Sequence, residues 1–408
     1  MNKRKILNDP VYGFINITND LTFDIIEHRY FQRLRRIKQL GLSEFVYPGA
    51  LHTRFHHALG AMDLMQRALS SLEEKGVMIS EEERQSSMLA ILLHHVGHGP
   101  FSHTLEFSLF KDISHEQVSI WMMERLNKEF NGALDLTLKI FTNKYSRTFF
   151  HQLVSSQLDI DRLDYLKRDS FFTGVYEGSI GSERIIKMLN VVSEQLVVES
   201  KGIYSIESFL SARRLMYWQV YLHKTAVSAE VMLIRLIKRA KELVQDGQSL
   251  MATPALSIFL ERNITMKDFQ EDPDILEIYS LLDDNDIWGS IKFWQEHDDF
   301  VLRNYSKMLL ERRLLGISFA NEDIGRIITD DLKHRLTNKW NIGPDQAQYF
   351  IKTGSVSNSA YIASGQSIKI LRKSGDVIDV AEASDLPNIK AMSKIVKKHY
   401  LCAPKEIL

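Results

Sequence analysis

Apolar residues in this chain recur at helical spacing, and that periodicity constrains the fold more than any other feature of the sequence. Between residues 54 and 75, Leu59, Met62, Leu69 and Leu72 share one face and predict a helix with that face inward. Residues 21–40 read as a helix with a basic face (Arg29, Arg33, Arg35, Arg36, Lys38), stopped by Gly41. SEEER (80–84) offers a serine cap with acids in the first turn, opening a helix through Leu93. Further helices are predicted over 115–129, 146–168, 184–193, 205–245 and 273–283. β signals are few. LVVES and IYSIE (196–200 and 203–207), around Lys201-Gly202, read as one hairpin. SIKILRKSGDVIDV (367–380), turning at Ser374-Gly375-Asp376, reads as another. The segment SVSNSAYIASGQS (355–367) is small and polar, as a loop or edge strand would be. Composition shifts near residue 340, which divides the chain into a helical body over 1–335 and a small α+β C-terminal region over 336–408. The expected class is mainly α, a helical bundle with short β-hairpins.

Composition narrows the function. With 44% hydrophobic and 25% charged residues, the 408-residue chain can bury a sizeable core. Lys and Arg total 51 against 52 Asp and Glu, so no global field steers it to nucleic acid or to an anionic membrane. The single cysteine, Cys402, forbids an internal disulfide and a cysteine-based zinc site. The start lacks the apolar stretch of a signal peptide, and no apolar run approaches the roughly 20 residues that span a bilayer. A cytoplasmic protein is expected.

Histidine is distributed unevenly. Eight of the 14 (His52, His56, His57, His94, His95, His98, His103, His115) fall within residues 52–115, where uniform scatter would put about two. His94 and His95 close the apolar run MLAILL (88–93), and GHGPFSH (97–103) follows at once. A helix that ends in adjacent imidazoles and breaks at glycine presents them at a cleft rim. His57 lies on the preceding helix, in TRFHHALG (53–60), and LDIDRLDYLKRD (158–169) supplies Asp159, Asp161, Asp164 and Asp169. In one continuous helix only one or two of these acids are expected to point inward. Helices meeting at a cleft could then deliver three imidazoles and a carboxylate to one metal ion. Arg54, three residues before His57, lies near the same face and can bind phosphate bidentately. Arg213, Tyr221 and Lys224 sit on the predicted 205–245 helix, where an eight-residue spacing places Arg213 and Tyr221 on one face.

FQRLRRIKQLG (31–41), YPGALHTRFHHALG (47–60), LLHHVGHGPFSH (92–103), SHEQ (114–117) and LDIDRLDYLKRD together resemble the HD-domain phosphohydrolases. Within that family they are most similar to the deoxynucleoside triphosphate triphosphohydrolases. The motifs run in order from about Asp9 to Lys224, with a weaker likeness in the tail. The resemblance implies an HD core over about 48–180 and a metal site on His57, His94, His95 and Asp161. His95 stands where the family carries an aspartate. A carboxylate can bridge two cations, whereas imidazole is neutral and monodentate. The His-His doublet therefore favours one transition metal (Zn²⁺, Ni²⁺, Fe²⁺ or Mn²⁺) over a two-metal Mg²⁺ site. The resemblance also implies that His98, His103 and His115 contact phosphates and aid proton transfer. Arg162 takes the place of a phosphate-contacting lysine, Tyr165 and Asp169 hold the sugar, and Gln39 lies near the sugar end of the substrate. A dNTP substrate, a homo-oligomer and possible allosteric binding of a nucleotide follow by the same analogy. Another HD-type nucleotidase or phosphodiesterase activity, or a nucleotide-binding regulator with impaired catalysis, would carry the same motifs.

Overall fold

Ser80 starts its helix by the reciprocal arrangement its sequence context offers. Its side chain accepts from Glu83 N at 3.2 Å, and the Glu83 carboxylate accepts from Ser80 N at 2.8 Å, opening Glu81–Leu92. The computed structural model describes residues 4–110, 112–358, 367–385 and 395–408 and is mainly α, with three small sheets. Arg54–Glu73 packs against both Glu81–Leu92 and Ile160–Thr173. Its Leu59, Met62, Leu69 and Leu72 are buried as the periodicity required, each burial being worth about 1.5–3 kcal/mol. His115–Glu129 spans the predicted range, capped by Ser114. No helix among the described residues is long and apolar enough to cross a membrane.

Several expected elements are broken where local polar groups compete for the backbone. The 146–168 helix is two, Thr148–Val154 and Ile160–Thr173. Asp159 caps the second by accepting from Ser156 N and Arg162 N, both at 2.8 Å. The 205–245 helix is likewise two. Ile203–Met216 runs into a π-turn over Tyr217–Tyr221, and Lys224–Gln245 restarts on His223, whose Nδ1 accepts from Thr225 N. Residues 21–40 divide into Asp20–Glu27, Arg29–Gln32 and a 3₁₀ turn over Arg33–Arg36. The helix predicted over 184–193 is Ser182–Met188, and the one over 273–283 is Pro273–Tyr279.

The first hairpin is shifted. Leu189–Val192 pairs with Gln195–Glu199 through Ser193 and Glu194, both at positive φ, while IYSIE opens a helix that buries Ile206, Phe209 and Leu210. The second forms as predicted, Lys369–Leu371 against Val377–Asp379, and its first strand joins Gln195–Glu199 in parallel. Val396–Ala403 lies between Gly316–Ala320 and Lys352–Asn358 in a three-stranded sheet. Residues 355–358 of the polar segment belong to that sheet, and 359–366 lie outside the described residues.

Candidate metal centre and substrate cleft

Three helical segments bring their donors to one point. His57 Nε2 on Arg54–Glu73, His95 Nε2 just past Glu81–Leu92, and Asp161 Oδ1 on Ile160–Thr173 are separated by 2.8 Å (His57–His95), 2.9 Å (His57–Asp161) and 2.6 Å (His95–Asp161). His94 Nδ1 joins from one side, 3.2 Å from His95 Nε2 and 3.9 Å from Asp161 Oδ1. Ligands at about 2.1 Å from a common ion stand about 3.0–3.4 Å apart, so these donors need spread only slightly to hold one, and imidazoles with a carboxylate are a donor set that divalent metals take. Charge agrees. Burial disfavours the His57 imidazolium, but the Asp161 and Asp164 carboxylates outweigh it and push the pKa up to about 9. The pocket favours positive charge. Burial chiefly holds His94 and His95 below the usual range, in the neutral form that ligates. Arg54 Nη1 lies 3.1 Å from His95 Nδ1; ligation through Nε2 by the neutral ring puts the proton on Nδ1, so this contact loosens when a metal binds.

All four acids of LDIDRLDYLKRD are used, more than the one or two expected. At 100° per residue, positions 161, 164 and 169 fall within an arc of about 140°, and the chain break frees Asp159 to cap. Asp164 accepts from His57 Nδ1 at 2.6 Å, so Nε2 turns to the metal point. Arg168, fully buried, pairs with Asp164 and with Asp9 of the N-terminal strand, at 2.9 and 2.7 Å. Gly60 makes room for them: a Cβ there would lie 2.0 Å from Arg168 Nη2 and 2.2 Å from Asp164 Oδ1. Asp169 lies 2.8 Å from His52 Nε2 and accepts from Tyr221 Oη at 2.8 Å. His52 and His56 had no role by sequence. The first orients Asp169, and the second caps the Arg54–Glu73 helix, its Nδ1 accepting from Thr53 N.

A cleft of about 530 Å³ opens beside the metal point. Gln39, Arg54, His94, His95, His98, His103, His115, Asp161, Arg162, Tyr165, Asp169 and Tyr221 all line it. The Gln39 side-chain carbonyl is buried without a partner among the described residues. Arg162 is held by Ser156 O and Asp159 and reaches Tyr165 Oη at 3.3 Å. Two of the expected substrate-binding residues are not on the wall. Arg213 is buried behind it, close enough for its charge to act on Tyr165. Lys224 lines a second cavity with Arg312 and Lys405, because the chain breaks at Leu222-His223 and the straight-helix spacing does not apply.

Sequence reasoning missed the groups that hold the turn 94–103. Arg33, taken as part of a basic face, is buried and donates to Val96 O, His98 O and Leu282 O at 2.8, 2.7 and 3.1 Å. Tyr279 Oη donates to Gly97 O at 2.8 Å, and Asp284 accepts from Phe101 N at 2.8 Å. Phe101 and Ser102 both take left-handed backbone, which these contacts sustain. Glu106 was also missed. It spans His103 Nδ1 at 3.1 Å and His115 Nδ1 at 2.7 Å and accepts from His115 N. Burial opposes its ionisation, but these hydrogen bonds hold its carboxyl far below the usual range.

Residues 180–258 match the HD associated region family. Over 323 residues the chain is 33% identical to an uncharacterized protein of Bacillus subtilis, YwfO, covering 77% of this chain and 72% of that one. A phosphohydrolase of Bacteroides thetaiotaomicron, solved by crystallography, aligns with a TM-score of 0.95 at 52% identity, over 98% of this chain and 100% of that chain. The chain belongs to the HD-domain phosphohydrolases. This HD-domain phosphohydrolase is also 29% identical over 265 residues to the Dictyostelium discoideum homolog of the deoxynucleoside triphosphate triphosphohydrolase SAMHD1. That match covers 60% of this chain and 51% of the relative, so the chain spans about half that relative's length.

Proposed function

We propose that this HD-domain phosphohydrolase cleaves deoxynucleoside triphosphates to deoxynucleoside and triphosphate, using one tightly held transition-metal ion on His57, His94, His95 and Asp161. The observation that carries the reading is the junction of two chemistries in one cleft: convergent metal donors beside phosphate-binding cations, and a Tyr165–Tyr221–Asp169 end suited to a sugar. A divalent ion there would polarise a phosphoryl oxygen and make a water more acidic. Arg54 and Arg162 supply positive charge to the phosphates. Glu106 fixes the His103 and His115 rings by their Nδ1 atoms and leaves Nε2 of each for a phosphate or a proton. In hydrolysis a water oxygen bonds to the α-phosphorus and the bond from that phosphorus to O5′ breaks. The water's proton passes to an imidazole, and O5′ gains one from another. Tyr165, against the ribose, disfavours a 2′-hydroxyl, while Asp169, fixed by His52 and Tyr221, accepts from the sugar.

Purification without metal-chelating resin, elemental analysis and incubation with a dNTP panel test this reading. One transition-metal equivalent per chain and release of intact triphosphate are expected. Two tightly bound Mg²⁺ ions, or orthophosphate or pyrophosphate as product, would overturn it.

A further inference from the structure

His98, His103 and His115 form a second convergent set that shares no residue with the first. Each offers a nitrogen, and these nitrogens lie within 4.8 Å of one another. The His98 and His115 rings stack with centroids 3.9 Å apart, so one of them turns to share an ion with the other, and His103 stands edge-on, 5.0 Å from both. The Glu106 carboxylate occupies Nδ1 of His103 and of His115, so the proton of each neutral ring is on Nδ1 and the lone pair on Nε2. That carboxylate–histidine pairing is the arrangement by which proteins orient imidazole ligands. Three nitrogen donors with a side open to the cleft leave room for an exogenous ligand, as at sites that hold Zn²⁺ through three histidines. Imidazole nitrogen selects Zn²⁺, Co²⁺, Ni²⁺ or Cu²⁺ over Mg²⁺ or Ca²⁺. His95 and His98 stack with centroids 5.2 Å apart, so the two sets are neighbours in one cleft.

We infer that His98, His103 and His115, oriented by Glu106, bind a second transition-metal ion more weakly than the first, and that its binding blocks turnover. The block rests on the hydrolase reading, since the same imidazoles then no longer meet the phosphates. The binding itself does not rest on it. Excess Zn²⁺ is therefore an inhibitor of the enzyme and Mg²⁺ is not.

The test is titration of the full-length protein with Co²⁺, read by its visible absorption and by metal content after gel filtration. Two equivalents are expected for the wild type. His103→Ala, whose side chain is 68% exposed and leaves the core untouched, weakens the second at least tenfold and keeps the first. His115→Ala does the same, and His57→Ala removes the first and keeps the second. Saturation at one equivalent in the wild type, or an unaltered second equivalent in both His103→Ala and His115→Ala, overturns the site. Zn²⁺ beyond the first equivalent should suppress dNTP hydrolysis at least tenfold, reversed by a chelator. Two equivalents with undiminished hydrolysis overturn the inhibitory role. Two equivalents in a protein that hydrolyses no dNTP leave the metal site standing and remove the proposed substrate.

Discussion

Arg33 acts on the site without lining the cleft. Its guanidinium satisfies three backbone carbonyls, two of them in the turn that carries His98. Arg33→Met keeps the length and removes the donors, stranding buried acceptors at about 1–3 kcal/mol each. Urea denaturation should show a loss of about 3 kcal/mol or more, and turnover should fall with it. Arg33→Lys should restore only part, because one ammonium cannot span the three acceptors. A variant as stable as the wild type would show the clamp to be idle. Sequence could not reveal this. The acceptors lie 63, 65 and 249 residues away, and a charged residue among other charges reads as surface. The His94-His95 pair stood out for the opposite reason, while His57 and Asp161 were singled out by the family resemblance. Adjacent histidines at a glycine break, and a dense acidic run, leave a local signature that needs no tertiary knowledge.

Helices show the same division. Ser80 and Ser114 caps and the Leu59–Leu72 stripe are encoded within a few residues, and the elements they define appear where expected. The breaks at 155–159 and 217–223 depend on side chains finding backbone partners, which propensity does not report. One break had a consequence for the site, since Lys224 left the cleft with it. Helix packing around the metal point depends on Gly60, in the middle of Arg54–Glu73. Alanine normally stabilises a helix interior by about 1 kcal/mol over glycine. Here the new Cβ collides with the Arg168–Asp164 pair, and overpacking plus damage to a buried ion pair prevail. Gly60→Ala should lose about 2 kcal/mol or more in thermal or chemical unfolding, and purified protein should carry less metal because Asp164 no longer fixes His57. A more stable variant would contradict this packing.

For the molecule as a whole, Glu230 on Lys224–Gln245 links stability to pH. Burial pushes its carboxyl up to about 7 from 4.5, against a weaker opposing hydrogen bond from Thr104. A raised folded pKa adds stability below the unfolded value, and that contribution is lost as pH rises through 7. Its full size is on the order of 3 kcal/mol. Glu230→Gln lacks this dependence, so the variant should gain on the wild type between pH 5 and pH 8. Unfolding curves at the two pH values measure it, and an unchanged difference would exclude it. Sheet order bears on how the molecule is made. The donors at the metal point and the acids paired with them lie between residues 52 and 169, but the turn that carries His94 and His95 is held by Tyr279 and Asp284, so the site is completed only once residue 284 has emerged. Val396–Ala403 is the latest strand in sequence yet sits in the middle of its sheet, between Gly316–Ala320 and Lys352–Asn358. A nascent chain on the ribosome therefore carries two unpaired edges until residues 396–403 emerge. Those edges are the surfaces a chaperone would have to shield.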